Sequence, residues 1–142
     1  MSRATRFSVA IHALALIAHP GVCGRLNSEL IARSVGTNAS FVRRVLAMLG
    51  HAGIVRSAAG VAGAELARPA EAITLLEIYR AVGIEGEGRL GIHGSPNPGC
   101  YVGRRIQGAL ATVFDAAEQA FEAELGHRRL SDIIDLIAAQ PA

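Results

Sequence analysis

The segment Leu26–Arg68, LNSELIARSVGTNASFVRRVLAMLGHAGIVRSAAGVAGAELAR, decides how the chain folds. Asn27 or Ser28 can cap a helix that reaches Val35, because both residue types accept hydrogen bonds from the first turn of a helix. Gly36 then permits a sharp turn, since glycine adopts backbone conformations that other residues avoid. The pattern predicts a short helix followed directly by a second one.

The second helix of this segment is amphipathic. It extends from a cap at Thr37 or Asn38 to about Ala52, and Gly53 ends it. Apolar side chains recur at the i, i+3, i+4, i+7 spacing of one buried helical face: Val42, Val45, Leu46 and Leu49. The opposite face then carries Ser40, Arg43, Arg44 and Ala47. A recognition helix presents such a face to the major groove of DNA.

A glycine-containing hairpin follows this helix. Ile54–Ser57 and Ala64–Ala67 are short extended runs, and Ala58–Gly63 between them is a loop with two glycines. Arg68-Pro69 closes the hairpin. The predicted fold class is therefore mainly α: a winged helix-turn-helix DNA-binding domain with a two-stranded β wing and a long C-terminal dimerisation helix.

The remaining sequence predicts further helices around a linker. Helical stripes cover Arg3–Ala18, a segment capped by Thr74 and ended by Gly83, the long run Tyr101–Leu125, and a last helix capped by Ser131. Steps of four and three residues in the long run predict a seam against a partner helix, formed by Ile106, Leu110, Val113, Ala117 and Ala120. The glycine- and proline-rich stretch Ile84–Gly99 predicts a flexible linker or sensor loop. We therefore divide the chain into a DNA-binding domain (1–83), a linker (84–99) and a dimerisation region (100–142).

Charge is distributed unevenly along the chain. Residues 1–68 carry eight arginines and two glutamates, a net of +6, whereas residues 69–142 carry six arginines and ten acids, a net of −4. The overall charge of +2 hides this polarity. One basic half is the pattern expected when that half faces phosphates.

Composition excludes several other classes of protein. Of the 142 residues, 51% are hydrophobic but only 4% are aromatic, which favours closely packed helices. No apolar run reaches the roughly 18 residues of a membrane span, so we expect a cytoplasmic protein with no membrane partner. Two cysteines do not make a disulfide framework. No phosphate-binding loop and no nucleophile–base motif is present, so we do not expect an enzyme.

Three sequence motifs, and their order along the chain, resemble those of a known family. Gly53-Ile54-Val55-Arg56-Ser57, Leu66-Ala67-Arg68-Pro69 and Ile73-Thr74-Leu75-Leu76-Glu77-Ile78-Tyr79-Arg80-Ala81-Val82 resemble the Rrf-two family (BadM/IscR-like) of winged helix-turn-helix transcriptional regulators. The resemblance covers nearly the whole chain. It implies a homodimer joined by a long C-terminal helix, a palindromic double-stranded DNA operator, and repression more often than activation.

The chain departs from this family in its wing and in its cysteines. The loop Ala58–Gly63 lacks the basic tip and the aromatic residue of many members, although Arg56 and Arg68 still flank it. Relatives that bind an iron–sulfur cluster have three cysteines between the Tyr79 helix and the long helix, and this chain has only Cys100 there. One thiolate with His93 falls short of a cluster's ligands. We therefore expect no iron–sulfur cluster and no other cofactor, as in the clusterless branch of the family.

Cys100 has two interpretations. At the start of the long helix it would feel the helix dipole, which lowers a thiol pKa and favours redox sensing. The alternative, which is favoured, is a small residue packed under the linker. The spacing between Cys23 and Cys100 gives no reason to expect that the two thiols act together. A metal site formed by Cys100, His93 and His127 fits no zinc motif. Regulation by a small-molecule ligand stays open as an alternative to a redox signal.

Candidate DNA contacts follow from the predicted recognition helix and the basic half. We expect Arg43, Arg44 and Ser40 to make specific contacts, although two arginines can also be a solvated helix face and Ser40 can merely support the helix start. Electrostatic support is expected from five of the six other arginines of this half, namely Arg3, Arg6, Arg33, Arg56 and Arg68. A competing function is a dimeric protein-interaction module with the same fold that has lost operator binding, and the altered wing is its main support.

Overall fold

A computed structural model of the protein describes residues 1–19, 26–57, 63–85 and 87–141. Within these ranges the chain forms six α-helices and a two-stranded sheet. The helices are α1 (Arg3–Ala18), α2 (Ser28–Val35), α3 (Ala39–His51), α4 (Leu75–Ala81), α5 (Gly103–Gly126) and α6 (Leu130–Ala139). The strands are β1 (Val55–Arg56) and β2 (Glu65–Leu66), and a 3-10 turn covers Ala70–Ala72. The winged helix-turn-helix prediction is confirmed.

Side-chain oxygens cap α2 and α3. The Asn27 Oδ1 atom accepts the Leu30 N–H at 2.9 Å, and the Asn38 Oδ1 atom accepts the Phe41 N–H at 2.8 Å. Gly36 lies between α2 and α3 with φ of +85°, in the left-handed region that glycine reaches without steric cost. Two caps and one glycine thus set where α3 begins and how sharply it leaves α2.

A reciprocal capping box begins α4. The Thr74 hydroxyl accepts the Glu77 N–H at 3.1 Å, and the Glu77 carboxylate accepts the Thr74 N–H at 2.8 Å. That backbone hydrogen bond, with help from the Arg68 guanidinium, lowers the pKa of Glu77. The wing is held next to α4 because Arg68 Nη2 lies 3.0 Å from Glu77 Oε1.

The wing is antiparallel and shorter than the sequence predicts. Val55 pairs with Leu66 and Arg56 with Glu65, so the strands have two residues each instead of four. One further backbone bond, from Ala67 N–H to the Ile54 carbonyl at 2.9 Å, extends the pairing toward the core. The predicted loop tip, residues 58–62, lies outside the described residues.

Most of the core lies between α1, α3 and α4. Its fully buried side chains come from all three helices, from α6 and from the segments next to α3 and α4, and they include Leu14, Leu49, Ile54, Ile78 and Leu130. A smaller cluster joins α2 to this core through Ala13, Ile31, Ala32 and Val42. The three-part division of the chain stays a prediction, with α6 contributing Leu130 to the core of the first part.

The start of α6 is paired with the start of α4. The Leu130 N–H donates to the Ile73 carbonyl at 2.9 Å, and the Leu75 N–H donates to the Arg128 carbonyl at 3.0 Å. The predicted cap Ser131 is wrong: Arg129 precedes the helix, and its N–H donates to Asp132 Oδ2 at 2.8 Å. Likewise α5 begins at Gly103, because Cys100 and Tyr101 lie in a turn closed by the Cys100 N–H and the Asn97 carbonyl.

Candidate nucleic-acid interface

The exposed face of α3 is set by what its other face buries. Val42, Val45 and Leu49 are at most 1% exposed. On an α-helix, side chains of one orientation repeat every three or four residues, so the residues between them point the other way. Those residues, Ser40, Arg43, Arg44 and Ala47, are all exposed, as predicted from the spacing.

The recognition-helix arginines differ in their surroundings. Arg43 lies near an acid and a hydroxyl: its Nη1 is 3.4 Å from Glu29 Oε1, and its Nη2 is 3.4 Å from Ser40 Oγ. Both distances are long, and more than half of each charged side chain is exposed. Such an ion pair contributes about 0–1 kcal/mol, so it holds Arg43 loosely. Arg44 makes no ion pair or side-chain hydrogen bond within the described residues.

The wing places a second arginine beside α3. A cleft of about 370 Å³ separates the helix from the sheet, and both Arg43 and Arg56 line it. Arg56 Nε lies 2.8 Å from Glu65 Oε1, its directly paired neighbour across the strands. The structure thus brings two predicted DNA contacts to one concave surface. Arg33, in the last turn of α2, is exposed as well.

Other arginines of the basic half have structural contacts. Arg6 is only 4% exposed, and its Nε donates to the Val82 carbonyl at 2.8 Å. Its Nη1 donates to the Met1 carbonyl, and its Nη2 lies 2.5 Å from Glu87 Oε2. Because Arg6 is buried and fully engaged, it has no surface for a phosphate, and we exclude it from the proposed interface.

Arg3 and Arg68 also make contacts within the protein itself. Arg3 Nε lies 3.4 Å from Glu87 Oε2, and its guanidinium stacks over the Tyr79 ring at 4.8 Å. Arg68 donates to the Ala72 carbonyl at 2.9 Å besides pairing with Glu77. The electrostatic role of these two arginines stays a prediction, and their contacts favour long-range charge over direct phosphate contact.

The sequence pattern did not place the two acids of the basic half on this face. Glu29 and Glu65 are the two acidic residues of the basic half, and each is paired with an arginine of the exposed surface. The Glu65 position could have been anticipated from the hairpin register. Glu29 could not, because its approach to Arg43 depends on how α2 packs against α3.

Comparison with known proteins decides the family. The model of the Rrf2 family, described as an iron-dependent transcriptional regulator, matches residues 3–136. This chain belongs to the Rrf2 family. YwnA of Bacillus subtilis (strain 168), a candidate HTH-type transcriptional regulator, is 43% identical over 131 residues, which are 92% of this chain and 96% of YwnA. The Rrf2 family and this relative are transcriptional regulators and not enzymes.

Solved structures agree with this assignment. A crystal structure described as that of a candidate DNA-binding protein is 41% identical, with a TM-score of 0.73, and the match covers 91% of this chain and 98% of the other. T. potens IscR, 24% identical, has a TM-score of 0.70 and coverage of 97% and 90%. Staphylococcus aureus CymR, 21% identical, has a TM-score of 0.67 and coverage of 92% and 95%. At 24% and 21% identity, the similarities to IscR and CymR are evidence for the fold only.

The residues described for this Rrf2 chain do not fit an iron centre. In the ranges that the structure describes, no three histidine, cysteine or acidic side chains lie close enough together to hold a metal ion. Cys100 is exposed and unpaired with another cysteine in these ranges, so the interpretation of Cys100 as a small residue packed under the linker is wrong. Nor does any described helix have the length and apolarity to cross a membrane.

Neutralising Glu29 is expected to strengthen DNA binding by this Rrf2 chain. Glu29→Gln removes a negative charge that faces the same side as Arg43 and releases the guanidinium, so affinity for duplex DNA should rise about threefold to tenfold at low salt. Fluorescence anisotropy with a labelled duplex measures this. Glu85→Gln, a neutralised exposed acid outside the face, is the control and should have little effect. Equal affinity of the Glu29→Gln and wild-type proteins would contradict the placement of Glu29.

Proposed function

We propose that the protein is a homodimeric, sequence-specific repressor that binds a palindromic operator. The observation that carries this proposal is the exposed α3 face, where Ser40, Arg43 and Arg44 project beside a wing that carries Arg56. Arginine forms bidentate hydrogen bonds with guanine and with phosphate, which suits both kinds of contact. The membership of the Rrf2 family supports DNA as the partner.

Individual roles follow from position on this face. Arg43 and Arg44 lie on the part of α3 that would enter the major groove, and they are the proposed base-reading residues. Ser40, in the first turn of α3, is placed for a phosphate or base-edge hydrogen bond. Arg33 and Arg56 flank α3 and would contact the phosphate backbone. Repression requires only that the bound dimer occupy the promoter, and the family resemblance favours it over activation.

Reversing the charge of the recognition helix tests operator binding. Each base or phosphate contact of an arginine is worth about 1–3 kcal/mol, so Arg43→Glu with Arg44→Glu should weaken specific binding at least about 30-fold. Genome-fragment selection with the purified protein supplies the operator, and anisotropy then measures affinity. Arg104→Glu, on α5, is the control and should bind like the wild type. If about six phosphates are neutralised per dimer, the log–log salt slope is about −5.

Two outcomes would favour the competing function. If no palindrome is selected, or if the doubly reversed variant binds like Arg104→Glu, α3 is not a recognition helix. A protein-interaction module that retains the fold would then be the better description. A salt slope near zero would lead to the same conclusion, because phosphate contacts release counterions.

Dimerisation is proposed through α5. This helix has 24 residues and none of them is buried within the chain. Its predicted seam includes Val113, which is 63% exposed, and the exposed small residues Ala117 and Ala120. Small side chains let two helices approach closely, and an apolar stripe of this length is stabilised when a second copy covers it. Two recognition helices about 34–36 Å apart would then reach successive major grooves.

A charge in the seam should separate the protomers. Val113→Glu places two like charges face to face in a symmetric contact, so we expect a monomer at micromolar concentration and loss of palindrome binding. Sedimentation velocity measures the oligomeric state. Gln119→Glu adds the same charge on another face of α5 and should leave the dimer intact. A Val113→Glu protein that sediments like the wild type would place the dimer interface elsewhere.

A thiol response through Cys100 is proposed as the regulatory signal. The thiol is exposed in the turn before α5, and the Cys100 carbonyl accepts the Arg104 N–H at 3.0 Å. Oxidation of this thiol to a sulfenic acid by peroxide would add a polar group where the linker meets α5.

Substitution of the thiol tests this signal. Peroxide should lower operator affinity of the wild type and of Cys23→Ala, whereas Cys100→Ala should not respond, because it has no thiol to oxidise at this turn. Anisotropy before and after peroxide treatment measures the change. A response that persists in Cys100→Ala, or that is missing in the wild type, rules out the switch.

A further inference from the structure

A second cleft lies on the side of the molecule where α1 begins. Its walls come from four segments: the cap and first two turns of α1, Tyr79 of α4, residues 87–89 of the linker, and Phe121 of α5. Its volume is about 480 Å³, which is within the range of small-molecule sites. Its lining includes none of the proposed DNA contacts on α3 or the wing.

Three aromatic rings give this cleft an apolar wall. Phe7, Tyr79 and Phe121 form a chain of edge-to-face contacts, with ring centroids 5.2 Å apart at both steps and interplanar angles of 77° and 71°. Phe7 and Phe121 are only partly covered by the rest of the chain. Rings arranged in this way offer edges and faces to another planar ring.

Two arginines and one glutamate set the charge of the cleft. Arg89 stacks its guanidinium on Phe121, with 3.5 Å between its Cζ atom and the ring centroid, and has no ion pair among the described residues. Arg3 lies beside Glu87, which is also bound by Arg6 from behind the cleft. The hydrogen bonds from Arg6 and the Ile84 N–H lower the pKa of Glu87, so this carboxylate stays charged. The ionisable residues that line the cleft therefore have a net charge of +1.

At the same place, one buried donor has an ion-pair partner but no hydrogen bond in the part of the chain that the structure describes. The Arg3 Nε atom is buried and makes no hydrogen bond within the described residues, although Glu87 lies 3.4 Å away. Buried donors normally find an acceptor, because an unpaired one costs about 1–3 kcal/mol. The cleft also adjoins the N-terminus of the 16-residue helix α1, where the helix dipole favours an anion.

We propose that this cleft binds a small aromatic monocarboxylate. The carboxylate would lie between Arg89 and Arg3, which supply planar guanidinium donors suited to it. The ring would pack against Phe7, Tyr79 and Phe121. One negative charge balances the net charge of the cleft, and the rings supply the apolar contact that a free inorganic anion would not use.

Occupancy of this cleft would act on the DNA-binding face, and that second part rests on the proposed function. The cleft joins the DNA-binding half to α5, since α1 and α4 line one side and Phe121 the other. A ligand held between them would favour one arrangement of the recognition helices relative to the dimer axis. Such a ligand changes operator affinity only as far as it binds that arrangement better than the others.

Benzoate and benzamide, which differ in charge but hardly in shape, test the site without DNA. Titration of the full-length protein by calorimetry or protein-observed NMR should give saturable benzoate binding at about 1 mM, a typical affinity for so small a ligand. Benzamide should bind at least about tenfold more weakly, because it lacks the charge that the two arginines recognise.

Variants locate the binding in the cleft. Arg89→Gln should weaken benzoate binding at least about tenfold and leave the thermal midpoint unchanged, because Arg89 is exposed. Arg105→Gln is the matched control: its guanidinium stacks on Tyr101 at 4.1 Å, outside the cleft, and its loss should not change benzoate affinity. Equal affinity for benzoate and benzamide, no benzoate binding at 20-fold above about 1 mM, or an unaffected Arg89→Gln variant would each overturn the proposal.

Measuring operator affinity with and without benzoate tests the coupling to DNA separately from the existence of the site. Saturating benzoate should change operator affinity at least about threefold in the wild type and not in Arg89→Gln. If benzoate binds but operator affinity is constant, the coupling is wrong and the site stands. If the protein selects no operator at all, the proposed function fails, while the benzoate titration still decides the site.

Discussion

Burial of one face of α3 orients the surface that this protein offers to DNA. Burying each of the side chains Val42, Val45 and Leu49 is worth about 1.5–3 kcal/mol, so turning the helix over would cost about 5–9 kcal/mol, comparable with the whole stability of a domain. The exposed ion pair between Arg43 and Glu29 contributes about 0–1 kcal/mol. Packing therefore decides where the arginines point, and electrostatics only adjusts them afterwards.

The arginines of the described residues have three different kinds of surroundings. On α3 and the wing, Arg43, Arg44 and Arg56 are exposed and suited to phosphates and bases. Inside, Arg6 joins the carbonyls of Met1 and Val82 to the Glu87 carboxylate, so one guanidinium connects α1, α4 and the linker. At the second cleft, Arg89 lies on an aromatic ring and makes no hydrogen bond or ion pair with any residue that the structure describes. Burial and neighbours, which residue type does not reveal, distinguish these surroundings.

Local features of the sequence predicted most of the fold. Asn27 and Asn38 are the caps among the two candidates at each of α2 and α3, and Thr74 caps α4 as predicted. Apolar spacing identified the buried and exposed faces of α3. These features act within one or two helical turns, so the residues themselves contain the information. The predictions of where α5 and α6 begin, and of how long the strands are, were less accurate. They depend on a turn at Asn97, on the pairing of residues near Ile73 with residues near Leu130, and on the limited contact between β1 and β2.

By itself, the sequence determined the winged helix-turn-helix, the family, and the candidate base-contacting residues Ser40, Arg43 and Arg44. Hydrophobic periodicity, helix caps and short motifs carry this information, and each depends only on residues that are near one another in the sequence. Only the tertiary structure decided that Arg6 is buried, that Glu29 approaches Arg43, and that aromatic rings of three different helices meet beside Arg89. Each of these contacts joins residues from different elements. Their approach is set by how the helices pack into one core, and side-chain spacing along a single helix does not contain that information.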